Sequence, residues 1–589
     1  MCVAQWRVRP SDSFIIYTLI SLGIHDGHTA TAAVVVNGKL VSAVSEERLN
    51  RRKEWGGFPE RAIAEALRLA GARPKDVSVV GVATLFPPIT SADYEMAHPG
   101  KRLFWAATRV MPRPWLYNGA WLPSARLLSV GIVRKRRRTV ASRVKDMGIR
   151  APILFYEHHA AHGLGAHLFS GRDENLVLTA DGSGDMLSAT VAIGKGKKLA
   201  RLSSVSNYNS MGEFYTRITQ HLGMKPLSHE YKVMGLAPYS PEDIGEKAYK
   251  ILKDYFRVIP DKLSFINRSG AWKRDYLKKL RKDLAGMRFD AVAFAAQRIL
   301  EEVITSWAGA ALEKTRIPSL ALAGGVFMNV KLNNLLLEAE GVDDLFIMPS
   351  AGDESLALAA AMIAFLETGD GVHSPLETLY LGPEFSDEEI EKALGGLGEG
   401  FVVSREGDGI HEKVGNLLSR GKIIARFFGR MEFGARALGN RSILADPRDR
   451  GVVDRINRAI KMRDFWMPFA PTVLHERRHD YLVNPKDHPA PHMMLAFPTT
   501  PLAKKEIPAA LHPADGTGRP QILTKEQNPT YYRVLKAFEA TTGVGAVLNT
   551  SFNLHGDPIV CSPQDAVQTL LKSDLDGLAI GKWLVLRKR

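Results

Sequence analysis

Apolar positions along the chain come in short runs that stop at glycine, aspartate or serine. The run Phe14 to Ile24 leads directly into His25-Asp26-Gly27-His28 and reads as a buried first strand. Asn37-Gly38, between two β-rich runs, predicts a hairpin, because both residues accept the positive φ of a two-residue turn. Pro59 to Gly71 changes period: Ile63, Ala66, Leu67 and Ala70 share one side of a helix with proline in its first turn and glycine at its stop. Leu176 to Ala180 is an apolar strand ending on Asp181-Gly182-Ser183-Gly184-Asp185. Ser319 to Asn329 is a strand leading into Gly324-Gly325, and Asp344 to Ser355 another with Asp353 at its exit. Phe289 to Leu312 and Leu356 to Leu366 read as helices, and His229 to Tyr239 as a compact loop carrying Lys232. Strands that end in small or acidic residues and then enter helices define α/β lobes. The backbone amides of such turns and helix starts hold phosphates.

Candidate chemistry is densest from Tyr156 to Asp185. A helix that carries His158 and His162 puts both on one face, one turn apart. Two imidazoles so spaced can share a metal at about 2 Å, and Asp181 on a strand end close behind supplies a carboxylate.

The chain has 589 residues, too long for one core, so two or more domains are expected. Its two cysteines, Cys2 and Cys561, exclude a disulfide framework or a cysteine-built zinc finger and fit a cytoplasmic protein. The first apolar run lacks a small-residue cleavage site, and no segment has the roughly 18 unbroken apolar residues of a membrane span. The net charge of +15 permits an anionic partner without choosing one. Arg102 to Met147 stands apart, mixing tryptophans with arginines and holding the basic run Arg134 to Arg138. It reads as a helical insertion with a solvated charge run, or as a lid or surface for an acidic, glycolipid or membrane-associated acceptor.

Composition shifts after about residue 370. The later part carries GRMEFGARALGNRSILADPR, KMRDFWMPFAP, HPADGTGRPQ and NTSFNLHGDPIV. Arginines set among Gly, Ala and Leu, with a Lys-x-Arg pair, suit a site for anionic ligands, since guanidinium forks grip phosphate.

These segments, together with LGIHDGHTATAAVVVNGKLVSAVSEERLNRRK, EHHAAH, ADGSGD, KVMGLAPY, LAGGVFMN and PSAGDES, resemble the NodU/CmcH-type O-carbamoyltransferases in family order over about residues 17 to 575. The Arg102 to Met147 region is not anchored by the resemblance. It implies an α/β protein with a two-lobed actin-like N-terminal domain over 15–370 and a YrdC-like C-terminal domain over 376–589. In such enzymes ATP and carbamoyl phosphate give carbamoyl-adenylate in the C-terminal domain, and a metal-assisted step transfers the carbamoyl group to an acceptor hydroxyl in the N-terminal one. The resemblance implies His158, His162, Asp181 and Asp353 as metal ligands, with iron first and zinc or manganese open. It implies Gly182, Gly184, Gly324, Gly325 and Asn329 around the nucleotide, Lys232 near the α-phosphate, His25 as base or orienting group, and His159 beside the carbamoyl group or simply packed. Arg436, Asn440, Arg441, Lys461, Arg463, Thr550, Ser551 and Asn553 would bind carbamoyl phosphate and magnesium-bound ATP.

The expected partner is a hydroxyl acceptor, a small molecule or glycoconjugate. Peripheral contact with an anionic or glycolipid surface and a homodimer are compatible with the chain, and nucleic acid is not expected. The alternatives are a threonylcarbamoyl-type transferase acting on tRNA and a non-catalytic nucleotide-binding scaffold.

Overall fold

The computed structural model describes residues 18–88, 119, 121–369 and 371–588. The start of the expected first strand, Phe14 to Tyr17, and the first part of the insertion, with Trp105 and Trp115, lie outside these residues.

Two five-stranded sheets share one topology. In the first, β1 (Ile20–His25), β2 (Thr31–Val36), β3 (Lys39–Ser45), β4 (Val79–Ala83) and β5 (Ile153–Tyr156) lie in the order β3-β2-β1-β4-β5. β1 to β3 pair antiparallel, whereas β1, β4 and β5 are parallel. The second contains β6 (Glu174–Gly184), β7 (Leu187–Lys195) and β8 (Lys198–Ser206). The ribbon β9 (Phe256–Ile259) and β10 (Ser264–Asn267) follows in the chain, and β11 (Ser319–Ala323) and β12 (Asp344–Ile347) complete the sheet. Its order is β8-β7-β6-β11-β12, again with a three-strand antiparallel half and a parallel half. The Asn37-Gly38 hairpin forms as expected, with φ of 48° and 83° at its two turn residues.

The helix Leu356–Glu367 follows the second sheet in sequence yet packs on β1, β2 and β4 of the first. Its alanines allow a close approach: a Cβ at Gly23 or Gly81 would overlap the backbone carbonyl of Ala357 or Ala360. The helix His158–Ser170 lies against β6, β7 and β11 and also touches Leu356–Glu367, so it sits between the lobes.

The C-terminal part is a mixed eight-stranded sheet. It comprises β13 (Phe401–Arg405), β14 (Ile424–Phe427), β15 (Arg441–Ala445), β16 (Ala470–Leu474), β17 (Gln521–Leu523), β18 (Ala546–Ser551), β19 (Gly577–Ile580) and β20 (Trp583–Arg587). Their order is β13-β20-β19-β14-β15-β18-β16-β17. The molecule is thus α/β throughout. The C-terminal part is bound to both lobes. The Arg51 guanidinium donates to the carbonyls of Ile559 and Pro558 at 2.7 and 2.9 Å. His512 Nε2 donates to the Gly235 carbonyl at 2.8 Å, and Asn333 Nδ2 to that of Met494 at 2.8 Å.

Two local expectations are corrected. The segment around Lys232 is a helix, Glu230–Leu236, not a loop. The basic run lies on the helix Val130–Asp146 and is not uniformly solvated: Arg136 turns inward to grip Asp26 through two bonds of 2.7 and 2.8 Å.

Candidate active site

The helix His158–Ser170 starts where β5 ends, and its N-cap Glu157 accepts from the amides of His159 and Ala160 at 3.1 and 2.9 Å. This cap places His158 and His162 against the exit of β6, which presents Asp181. Asp353 arrives from the turn after β12. Each histidine Nε2 lies 3.6 or 3.7 Å from a carboxylate oxygen of both Asp181 and Asp353. One ligand atom from each of the four residues lies within 4.8 Å of all the others.

The donor set fits a metal ion. Both Nε2 atoms are buried and have no hydrogen-bond partner. The spacing is long for hydrogen bonds but suits ligands that share one ion: two atoms about 2.1 Å from a metal at a tetrahedral angle are about 3.4 Å apart. Burial alone would depress His158, but Asp353 and Asp181 override it and push the imidazole up to about 9. Asp181 is held well below the usual carboxylate range because the facing imidazoles of His158 and His162 outweigh burial. Two acids and two imidazoles this close form a strong cation trap.

The surroundings hold the ligands in place. Asp181 Oδ1 and Oδ2 accept from the amides of Gly182 at 2.7 Å and Gly325 at 3.1 Å. Asp185 accepts from the His158 amide at 2.8 Å and from those of Leu85 and Phe86. Gly184 is required here, since a Cβ would overlap the His158 ring.

The cluster opens onto a cavity of about 740 Å³ whose lining comes from both lobes and from the C-terminal part. His158, Asp181 and Asp353 stand on its wall, as do Arg436, Arg463 and Arg519. Among the described residues none of these arginines forms an ion pair. Arg463 donates to Thr550 Oγ1 at 3.0 Å and lies over the Phe469 ring at 4.9 Å. Arg436 Nε and Arg519 Nη1 are buried without a partner. Burial pushes all three guanidiniums down. Arg436 also depresses Arg463, and both of these arginines depress Arg519. Three mutually repelling cations facing one space form an anion site.

The structure sorts the expected residues. Gly182, Gly184, Gly325, Asn329, Ser551 and Asn553 line the cavity. Gly324 stands just behind it at φ 101°, where a Cβ would overlap the Ala180 backbone. Asn329 also caps the helix Val330–Glu338 and exchanges two bonds with Gln297.

Five of the expected residues are engaged by protein groups. Arg441 is fully buried, bonds the carbonyls of Phe428, Gly429, Asn440 and Pro383, and stacks 3.7 Å from the Phe427 ring. Asn440 spends its side chain on Arg426, Asn528 and the Arg430 carbonyl. Lys461 is buried, and its ammonium faces four acceptors on Ser551 and Asn553, so it shapes that loop. Lys232 pairs with Asp464 at 2.8 Å across the domain junction. His159 bonds Thr179 Oγ1 at 2.8 Å and packs at 0% exposure.

His25 is also fully buried. Its Nε2 donates to the His28 carbonyl at 3.1 Å and lies 3.8 Å from Asp353, so it backs a cluster residue from behind. The imidazole of that turn at the cavity wall is His28. It was missed in the sequence, as was Arg519, although Arg519 directly follows Gly518 in DGTGRPQ and Arg436 lies two residues after Gly434 in FGARAL.

The two ends of the cavity are joined by a buried relay. Glu354, next to Asp353, accepts from Ser350 Oγ and lies 3.4 Å from Thr29 Oγ1. Ser350 Oγ accepts from the Ala435 amide at 3.1 Å, and Arg48 Nη2 donates to the Gly434 carbonyl at 2.9 Å. The turn that carries Arg436 is therefore held by the segment that carries Asp353.

Two family profiles match the chain: Carbamoyltransferase N-terminus over residues 20–362 and Carbamoyltransferase C-terminus over residues 415–587. The chain belongs to the carbamoyltransferase family and is a transferase enzyme. Nodulation protein NolNO of Sinorhizobium fredii (strain NBRC 101917 / NGR234) is 33% identical over 577 residues, covering 96% of this chain and 79% of that protein. Uncharacterized protein MJ1051 of Methanocaldococcus jannaschii is 32% identical over 577 residues, covering 96% and 99%. Among solved structures, full-length HypF in the phosphate- and nucleotide-bound form aligns with a TM-score of 0.35 and 12% identity, over 61% of this chain and 47% of that one. No helix of the described residues is long and apolar enough to cross a membrane.

Proposed function

We propose that this carbamoyltransferase activates carbamoyl phosphate with ATP and transfers the carbamoyl group to an acceptor hydroxyl, and that both steps use the one cavity. The observation that supports this reading is the arrangement of that cavity, with an unpaired arginine trio and a two-histidine, two-aspartate cluster on its walls. In the first step carbamoyl phosphate loses phosphate to water. A carbamate oxygen then bonds to the α-phosphorus of ATP as pyrophosphate leaves. Arg436, Arg463 and Arg519 hold the phosphates and stabilise charge on their oxygens in a site that excludes bulk water. In the second step the acceptor hydroxyl oxygen bonds to the carbamoyl carbon and AMP leaves.

The chain's own groups account for the proton. His28 Nε2 donates to the Leu227 carbonyl at 3.1 Å, which leaves Nδ1 as a lone pair, buried and without a partner. An imidazole held in this tautomer accepts the hydroxyl proton at Nδ1. His158, His162, Asp181 and Asp353 would hold a divalent metal, iron by family resemblance, which supplies Lewis acidity to the carbonyl. The acceptor is a hydroxylated small molecule or glycoconjugate.

Incubation of the full chain with magnesium-bound ATP and carbamoyl phosphate should release AMP and pyrophosphate. Release no greater than without carbamoyl phosphate would sink the reading.

Ser350→Ala tests the relay. It strips Glu354 and the Ala435 amide of a partner, at about 1–3 kcal/mol. The expected result is a KM for ATP raised about tenfold or more with metal content unchanged, because the Arg436 turn is released and the ligands are not. An unchanged KM would refute the coupling.

A further inference from the structure

Outside the catalytic cavity lies a second hollow of about 650 Å³, between the residues that leave β4 and the helix Val130–Asp146. Leu85, Phe86, Val130 and Val133 give it apolar walls, and Arg126, Arg134 and Arg137 stand around them. Among the described residues these three guanidiniums make no ion pair and no hydrogen bond; Arg137 only lies over the Phe155 ring at 5.3 Å. They contrast with Arg136 of the same run, which is committed to Asp26. The acids in the hollow are engaged. Glu157 pairs with Arg201 and caps its helix, and Asp185 accepts from three backbone amides. The hollow therefore combines apolar walls with unbalanced positive charge.

Its position connects it to the chemistry. Phe86 and Asp185 line both this hollow and the catalytic cavity. Asp185 also anchors the amide of His158, a member of the histidine–aspartate cluster. Phe86 and Asp185 thus form the boundary that the hollow shares with the cavity beside that cluster.

We propose that this hollow is the subsite for the non-reacting part of the hydroxyl acceptor, and that the acceptor is an anionic amphiphile. Its apolar chain lies against Val130, Val133, Leu85 and Phe86, and a phosphate-like group sits among Arg126, Arg134 and Arg137. The assignment rests on the reading of the cavity as a carbamoyl-transfer site. Apolar walls give a bare sugar phosphate or a nucleic acid strand little to hold. A neutral glycolipid leaves three guanidiniums without counter-charge, whereas a phosphate accepts their fork-like donors. Apolar burial adds affinity in proportion to the area removed from water.

The full chain is titrated calorimetrically with octyl phosphate and with octyl glucoside, both below micelle formation. Octyl phosphate is expected to bind saturably and about tenfold more tightly than the glucoside. Arg134→Glu and Arg137→Glu should each weaken it by about tenfold, and Val133→Asp should weaken it as well, with thermal midpoints reported to show that the variants fold. Equal affinity for the two probes, or affinity unmoved by the charge reversals, overturns the proposal. So does binding to phosphatidylglycerol vesicles, lost in Arg134→Glu, without binding of dispersed octyl phosphate; that result assigns the hollow to a membrane surface. Octyl phosphate binding by a wild-type chain that releases no AMP sinks the proposed function alone. AMP release without octyl phosphate binding sinks this inference alone.

Discussion

Arg463→Ala should abolish carbamoyl-phosphate-dependent AMP formation, lowering kcat/KM for ATP by about 10³-fold, or about 4 kcal/mol. Arg463 is fixed by Thr550 at one end and by the Phe469 ring along its plane, so its guanidinium is aimed before any ligand arrives. Such preorganisation is what makes one donor so effective in a water-poor site. The change has a second signature. Arg436 depresses Arg463, and both depress Arg519, so the site without a ligand carries repulsion. Removing one arginine should leave the ligand-free thermal midpoint unchanged or raised, while abolishing the stabilisation that inorganic phosphate gives the wild type. Arg463→Lys should not rescue, because an ammonium cannot reproduce the planar fork. AMP formation within a few-fold of wild type in Arg463→Ala would remove the trio from the chemistry.

His162→Ala should divide the reaction differently. It takes one of four ligands from the cluster and leaves His158 facing Asp181 and Asp353. Metal content by elemental analysis should fall, and carbamoyl transfer to an acceptor should drop at least about 10²-fold. AMP and pyrophosphate formation should persist, since no arginine of the trio touches His162. Treating the wild type with a chelator should give the same split, reversed by adding metal back. Loss of AMP formation in His162→Ala equal to that in Arg463→Ala would show that the two ends of the cavity do not act separately.

Much of this was legible in the residues, for identifiable reasons. Local signals carried the Asn37-Gly38 hairpin, because its turn demands positive φ, and the His158/His162 pair, because a helical turn aligns positions four apart. Asp181 followed from the rule that open α/β sheets present function at strand ends. What the residues did not reveal shares a cause. Arg441 and Asn440 occupy the same glycine-rich stretch as Arg436, and a guanidinium that will bind backbone carbonyls is written with the same letter as one that will bind phosphate. Only the direction of the side chain separates them, and β15 turns Arg441 inward. The engagement of Lys461 was illegible in the same way, since its four acceptors come from a loop 90 residues later. The packing of Leu356–Glu367 on the first sheet could not be read from periodicity, because a helix apolar on every side names no partner. Arg136 hid in a run of like charges, where its pairing with Asp26 depends on a long-range fold.

The repeated strand order has a consequence for how this enzyme can diverge. β1 and β6 are equivalent strands in the two lobes, and their carboxyl ends approach the same residue: His25 lies 3.8 Å from Asp353, and Asp181 faces it across the histidine pair. One backbone plan has thus been filled twice with different chemistry, a buttress in one copy and a cation-holding acid in the other. The copies have been relieved of identical duty, and their outer elements are free to drift independently. The insertion that bears Arg134 hangs from the first copy alone, between β4 and β5, so acceptor choice can change while the duplicated scaffold keeps its reactive centre.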